Sequence, residues 1–258
     1  MKVALLGPEG TFTHQAAEEY FTDLQPHFCS TIEEVFESDI EVKLVPVENS
    51  LGGGVRDTID LLRESENKVT GEKLLPINHT VVSSEESIED VDTVVSHPQA
   101  LAQCQEFVAK HELDTREADS TADAAENVSS GEAALASEVT ADIYDLNVLG
   151  KSVQDEDTNT TRFLIPNSKV DAEPSKTSLI LEPEEDRPGI LHAMLSCFSG
   201  HQINLTHIQS RPTKQELGKY YFYVEAEAHG QKLEKAIKAL ETYGHVNKLG
   251  EYPEAEKK

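Results

Sequence analysis

KVALLGPEGTFTHQAAEEYF (Lys2–Phe21) sets the pattern from which the fold can be read. Lys2–Leu6 is a short apolar run that breaks at Gly7-Pro8, and a helical stretch follows from about Thr13 to Phe21. The same alternation recurs. Val42–Val47 is a second apolar run, after which Val55, Ile59 and Leu62 mark one buried helix face. Beyond Pro76, His79–Ser83 and Thr93–Ser96 read as strands, Pro98 opens a helix running through Leu101–Lys110, and Ser120 caps a helix over Thr121–Val128. Val148–Val153 and Arg162–Ile165 return as strands. A chain of this kind buries its strands in a largely parallel sheet with helices on the faces.

Pro166–Lys176, PNSKVDAEPSK, has two prolines and no apolar periodicity, and reads as a linker. Past it, Thr177–Leu181 is a strand, and Ile190, Leu191, Met194, Leu195 and Phe198 line one helix face. Leu205–Ser210 and Tyr220–Ala228 are strands, the second placing Phe222, Val224 and Ala226 on one face and Tyr221, Tyr223 and Glu225 on the other. Leu233, Ile237, Leu240 and Tyr243 form the next helix face before a strand near Val246–Gly250. The order β-α-β-β-α-β is that of a ferredoxin-like unit.

The chain has 258 residues, with 48 acids against 22 lysines and arginines, a formal charge of −26. Nucleic acid and anionic membranes would be repelled and are not expected as partners. The excess is uneven: residues 1–170 carry −23 and residues 171–258 carry −3, which places a domain break between them. Acids scattered through periodic segments make a solvated shell suited to high internal salt, although 16 lysines still outnumber 6 arginines. No apolar run approaches the ~18 residues of a membrane helix, and Gly7 and Glu9 interrupt the start before a signal-peptide core forms, so a cytoplasmic protein is expected. Cys29, Cys104 and Cys197 have neither disulfide nor zinc-site spacing and read as core residues.

Neither nucleotide-binding glycine motif is present. Glycines cluster instead in GPEGTF (Gly7–Phe12) and ENSLGGGV (Glu48–Val55), each directly after a strand, where backbone N–H groups with the Thr11 and Ser50 hydroxyls suit a carboxylate. His97, in SHPQ, is either a general acid or structural. Arg162, in NTTRF, either pairs an anionic substrate or one of the many acids. The run Asp155-Glu156-Asp157 reads as a solvated loop. These residues point to a small organic anion bound by a two-part α/β protein.

GPEGTFTHQAA, VPVENSLGGGV, SHPQAL, STADAA and NTTRFLI, in this order over residues 1–168, resemble a monofunctional prephenate dehydratase, and the tail resembles the ACT domain of the same enzymes. In the tail, RPGIL (Arg187–Leu191) stands where the family has G-A-L-V and IQSRP (Ile208–Pro212) where it has E-S-R-P. Ile190, His192 and Gln209 depart from the family pattern. The resemblance implies a two-lobed catalytic domain like the type II periplasmic binding proteins over residues 1–168, with lobe one at about 1–76 plus 150–168 and lobe two at 77–149. A linker at 169–176 and an ACT domain at 177–252 follow.

The implied reaction takes prephenate to phenylpyruvate, water and CO₂ with no metal or organic cofactor. Carried over from the family, Thr161 assists the leaving hydroxyl, with Thr160, Asn49 and Gln99 completing its network. Thr11, Ser50, Gly52, Gly53, Ser120, Thr121 and Arg162 would cradle the substrate's carboxylates and pyruvyl oxygen, and Phe163 packs beneath. L-Phenylalanine would bind as effector at an interface between ACT domains through Gly189, Ile190, Leu191, Asn204, Leu205, Gln209, Ser210 and Arg211, in a homodimer or dimer of dimers. Arogenate dehydratase is the nearest alternative, and a non-catalytic sensor of an aromatic amino acid is one from another class.

Overall fold

The computed structural model describes residues 1–214 and 218–255. Strand β1 (Lys2–Leu6) leads through the capping Thr11 into helix α1 (Phe12–Tyr20), followed by β2 (Gln25–Cys29), α2 (Ile32–Glu37), β3 (Lys43–Asn49) and the two-residue β4 (Gly53–Gly54). Helix α3 (Arg56–Glu64) and β5 (Val69–Pro76) come next. The second lobe runs β6 (Thr80–Ser83), β7 (Thr93–Ser96), α4 (Pro98–Ala102), α5 (Gln105–Lys110), β8 (Asp114–Glu117), α6 (Thr121–Glu126), β9 (Glu132–Ala136), α7 (Val139–Tyr144) and β10 (Asn147–Gly150). β11 (Thr160–Pro166) then joins the first sheet, whose order is β2-β1-β3-β11-β5 with β4 on β3.

β1 pairs in parallel with both β2 and β3. The second sheet, ordered β10-β6-β9-β7-β8, is mixed rather than largely parallel. The chain enters it through β6 and leaves through β10; the β6/β9 and β10/β6 pairs are antiparallel, while β7 is parallel to β8 and β9. Both faces of its central strands are covered: Val82, Val95, Ala134 and Ala136 join one core, and Val81, Val94, Ala133 and Leu135 join another. Two short helices replace the expected continuous one over Leu101–Lys110. α4 ends at Ala102, and the Asp155 carboxylate accepts from Gln105 N and Glu106 N at 3.0 Å to cap α5. Asp155 is thus a helix cap, not merely part of a solvated loop.

Residues 167–175 form no regular element, and Lys176 opens β12 (Lys176–Pro183). With α8 (Ile190–Gly200), β13 (Leu205–Pro212), β14 (Tyr220–Ala226), α9 (Gly230–Leu240) and β15 (Gly244–Tyr252), it builds an antiparallel sheet of order β13-β14-β12-β15, the ferredoxin-like arrangement. Leu179, Leu181, Phe222, Val224 and Ala226 pack with Met194 and Phe198 of α8 and Leu233 and Ile237 of α9.

Compact packing divides the chain into one unit of residues 1–55 and 73–163 and another of residues 56–72 and 164–258. Residues 56–72 therefore pack with the tail rather than with the lobe-one sequence that surrounds them. This explains why the opposite face of the ferredoxin-like sheet is also buried, with Tyr221, Tyr223 and Glu225 all at or below 1% exposure. On that face Arg211 Nε and Nη2 donate to the two Asp60 oxygens at 3.1 and 2.6 Å, and the Tyr221 hydroxyl donates to Asp60 Oδ1. Lys176 Nζ lies 3.0 Å from Glu72 Oε1 and 3.9 Å from Glu225 Oε2. A Cβ on Gly250 would stand 1.9 Å from Val69 O, so only glycine lets the two backbones meet. Among the described residues, no helix is long and apolar enough to cross a membrane.

Candidate active site in the cleft between the lobes

A cavity of about 400 Å³ lies in the first unit between its two sheets. The first lobe contributes Phe12, Asn49, Gly52, Gly53, Asn159 and Thr161; the second contributes Ile77, His79, His97, Gln99, Gln103 and Asp119–Thr121. Among the described residues, Asp119 is the one acid in its lining, which holds no lysine or arginine. The donors this wall offers are neutral, namely amides, hydroxyls and backbone N–H groups.

One hydrogen-bonded chain runs along this wall. Asn49, at the end of β3, accepts from Leu51 N at 3.0 Å and Gly52 N at 2.8 Å, so its side chain shapes the glycine loop. Its Nδ2 donates to Asn159 Oδ1 at 2.7 Å and to Thr161 Oγ1 at 2.9 Å. Asn159 Nδ2 donates in turn to Gln103 Oε1 at 3.0 Å, and His79 Nε2 lies 3.0 Å from the same oxygen. Gly53 has φ +78° and open space where a Cβ would be, so the loop turns there without walling off the cavity.

Of the residues expected at the site, Thr161, Asn49, Gln99, Gly52, Gly53, Ser120 and Thr121 line the cavity. Thr11, Ser50, Thr160 and Arg162 are not in its lining. Local structure accounts for two of these. Thr11 Oγ1 caps α1 by accepting from His14 N. Ser50 Oγ donates to Thr158 O and accepts from Thr160 N, both at 2.9 Å, sewing the glycine loop to β11. The GPEG loop also departs from its expected role. Gly10, at φ +82°, would place a Cβ 2.8 Å from Thr140 Cγ2, and Ser137 Oγ donates to Gly10 O at 2.5 Å. This turn is a contact between the lobes, while the second glycine cluster faces the cavity.

His97 caps α4, its Nδ1 accepting from Gln99 N at 3.2 Å, and Ser120 caps α6 by accepting from Asp123 N at 2.9 Å. His79 and Gln103 line the cavity without having been singled out in the sequence, and Asn159 entered there only as the first residue of NTTRF. Gln103 sat inside a presumed helix, and its signal was the Asp155 that ends that helix: Asp155 N donates to Gln103 O at 2.7 Å. Among the described residues, no cluster of three or more His, Cys, Asp or Glu is arranged to hold a metal ion.

In the tail, Ile190 and Ser210 line a second cavity of about 280 Å³, with Arg63, Asp186, Tyr220 and Phe222 among its walls. Gly189, at φ +82°, precedes α8, while Leu191 and Leu205 pack on the core. Asn204 Nδ2 donates to Glu227 at 2.8 Å, and Gln209 Oε1 is buried without a partner. Arg211 contradicts its expected role: it is 7% exposed and committed to Asp60, because a carboxylate buried there demands a cation.

Residues 3–170 match the family model "Prephenate dehydratase" and residues 184–244 the model "ACT domain". The bifunctional chorismate mutase/prephenate dehydratase of Aquifex aeolicus is 43% identical, over 99% of this chain and 74% of that protein. The prephenate dehydratase of Methanocaldococcus jannaschii is 36% identical, over 95% and 96%. Among solved structures, GqqA, described as a novel type of quorum quenching acylase, superposes with TM-score 0.89 at 25% identity, covering 98% of each chain. Prephenate dehydratase from Arthrobacter aurescens in complex with L-Phe superposes with TM-score 0.86 at 29% identity, covering 98% of this chain and 90% of that one. With its two-lobed cleft and ferredoxin-like tail, the chain belongs to the prephenate dehydratase family and carries an ACT domain.

Proposed function

We propose that the cleft converts prephenate to phenylpyruvate, water and CO₂, with Thr161 assisting departure of the ring hydroxyl. The observation that carries the reading is the Asn49 to Thr161 bond: Thr161 Oγ1 accepts there, so its own proton remains to donate into the cavity. The electron pair of the breaking carboxylate bond moves through the ring as the C–O bond breaks, and a proton delivered at Thr161 completes water. A hydroxyl is too weak an acid to hand over its proton unaided, so Thr161 acts as donor and relay with replenishment from solvent. Phe12, Ile77, Val55 and Ala100 give the cavity apolar walls that solvate a departing carboxylate poorly. Gly52 and Gly53 with Ser120 and Thr121 supply neutral donors for the substrate's anionic groups. The catalytic part spans residues 1–168 and the ACT part 177–252.

L-Phenylalanine is the effector, at the tail cavity bounded by Ile190, Ser210 and Phe222. The Arthrobacter relative, solved with L-Phe, supports this assignment. The protein works as a cytoplasmic homodimer or dimer of dimers, and its −26 charge suits a salt-rich cell. Purified protein assayed with prephenate beside arogenate tests the reading. Phenylpyruvate from prephenate, suppressed by L-phenylalanine, is expected. Faster turnover of arogenate would transfer the assignment to arogenate dehydratase, and turnover of neither would leave a sensor.

A further inference from the structure

His79 lies just before β6 and is 3% exposed, yet its ring forms part of the cleft wall. Its backbone is tied on both sides, N–H to Gln154 Oε1 at 3.0 Å and C=O from Val153 N at 3.1 Å. The ring stands edge-on to Phe12, with centroids 5.4 Å apart. Its Nε2 faces Gln103 Oε1, and an amide oxygen only accepts, so Nε2 carries the hydrogen. Asn159 Nδ2 donates to the same oxygen and fixes the amide in that orientation. The remaining ring nitrogen, Nδ1, is then a bare lone pair, and it is buried with no hydrogen-bond partner.

Buried acceptors are ordinarily satisfied, so an unpartnered one on a residue of the cleft wall points to a donor that a ligand supplies. At neutral pH, prephenate has two carboxylates and a ketone, all acceptors, and one donor, the ring hydroxyl. We propose that His79 Nδ1 accepts the hydrogen of the substrate's ring hydroxyl, turning that oxygen's lone pairs toward Thr161. This rests on the prephenate reading above and extends it to a second group at the leaving hydroxyl. Burial lowers the imidazole pKa, which keeps the ring neutral and the lone pair available. No proton leaves His79 in the step: the C–O bond breaks with its electron pair on oxygen, which keeps its original hydrogen and gains the second from the Thr161 side.

The test uses the full chain and two saturated, non-reacting analogues of prephenate, one with the ring hydroxyl and one without. Calorimetry on the native protein should show the hydroxylated analogue binding about tenfold tighter, the scale of one hydrogen bond. His79→Leu should abolish that preference. His79→Asn, whose amide oxygen can stand in for Nδ1, should restore part of it, a rescue that a purely structural histidine would not give. Nitrogen-resolved NMR of the native protein should find the hydrogen on Nε2. Equal affinity of the native protein for both analogues, a preference surviving in His79→Leu, or a hydrogen on Nδ1 would overturn the assignment while leaving the dehydratase reading in place. Failure of both analogues to bind, with no phenylpyruvate formed, would remove both.

Discussion

Replacing Thr161 by valine exchanges a hydroxyl for a methyl of similar volume at the point where the cleft network reaches the cavity. The structure says what survives. Asn49 loses one of its two Nδ2 contacts but keeps Asn159 Oδ1 at 2.7 Å, and its Oδ1 keeps Leu51 N and Gly52 N. The glycine loop is therefore still held, and the cost in stability is that of one hydrogen bond, about 1 kcal/mol. Catalysis loses more, because the bond to the leaving oxygen strengthens as negative charge gathers there. About 3 kcal/mol of lost transition-state stabilisation corresponds to roughly a hundredfold in kcat. KM should change little, since the bond is weak to a neutral hydroxyl in the ground state. Phenylpyruvate absorbance gives kcat and KM, and a thermal melt shows that the variant is folded. Thr161→Ser, which restores the hydroxyl, should recover most of the rate. A folded Thr161→Val with kcat within about threefold of the native value would refute the role given to this hydroxyl.

Burial alone would raise the Asp60 pKa, but hydrogen bonds from Arg211, Lys214 and Tyr221 outweigh it and hold the carboxyl at about 2 against 3.8 unperturbed. Its contribution of about 2 kcal/mol is complete above about pH 4 and vanishes as pH falls through 2, so Asp60→Asn should flatten that part of the acid-unfolding curve; an unchanged curve would contradict it. Lys176→Met removes the ammonium beside Glu72 and Glu225, whose side chains are 2% and 1% exposed and which keep Ala255 N and the Tyr223 hydroxyl among their partners, and should cost about 3 kcal/mol in urea unfolding; a loss below about 1 kcal/mol would mean the cation is dispensable. Molar KCl, which shortens the Debye length from about 10 to about 3 Å, should raise the melting temperature of this acidic chain, and a flat response would dispose of the high-salt reading. Gln209 lies outside the lining of the tail cavity, so Gln209→Glu should leave the affinity for L-phenylalanine by calorimetry unchanged; a severalfold change would show that the amino acid reaches the other face of β13.

Patterns that depend on near neighbours were legible in the sequence. The Lys2–Phe21 strand, turn and helix, and the alternation of Phe222, Val224 and Ala226 against Tyr221, Tyr223 and Glu225, needed only periodicity. β8, Asp-Thr-Arg-Glu, was missed because it is an exposed edge strand with no apolar face. β9, Glu-Ala-Ala-Leu-Ala, was missed because alanine favours helix, and only its burial on both faces makes it a strand. Among the residues lining the cavity, Asn49 and Thr161 were singled out by their motifs, whereas His79 and Gln103 were not. These two are joined by a hydrogen bond between residues 24 positions apart, which no local pattern encodes.

The packing of residues 56–72 with the ACT sheet bears on how such a protein can be cut and recombined. A gene truncated in the irregular stretch 167–175 would look like a clean excision of the regulator. The shortened product would nevertheless retain Asp60 without Arg211 and Tyr221, Glu72 without Lys176, and a bare surface where Val69 had met Gly250. Two formerly satisfied carboxylates would be left seeking water on a surface shaped for protein. Transplanting the tail onto a foreign enzyme meets the same obstacle in reverse, since Tyr223 and Glu225 would lose their cover. Regulator and catalyst are consecutive in the gene but interlocked in the fold: a substitution at Arg211 should be tolerated only with a matching change at position 60, and a tail exchanged between relatives should hold only when residues 56–72 travel with it.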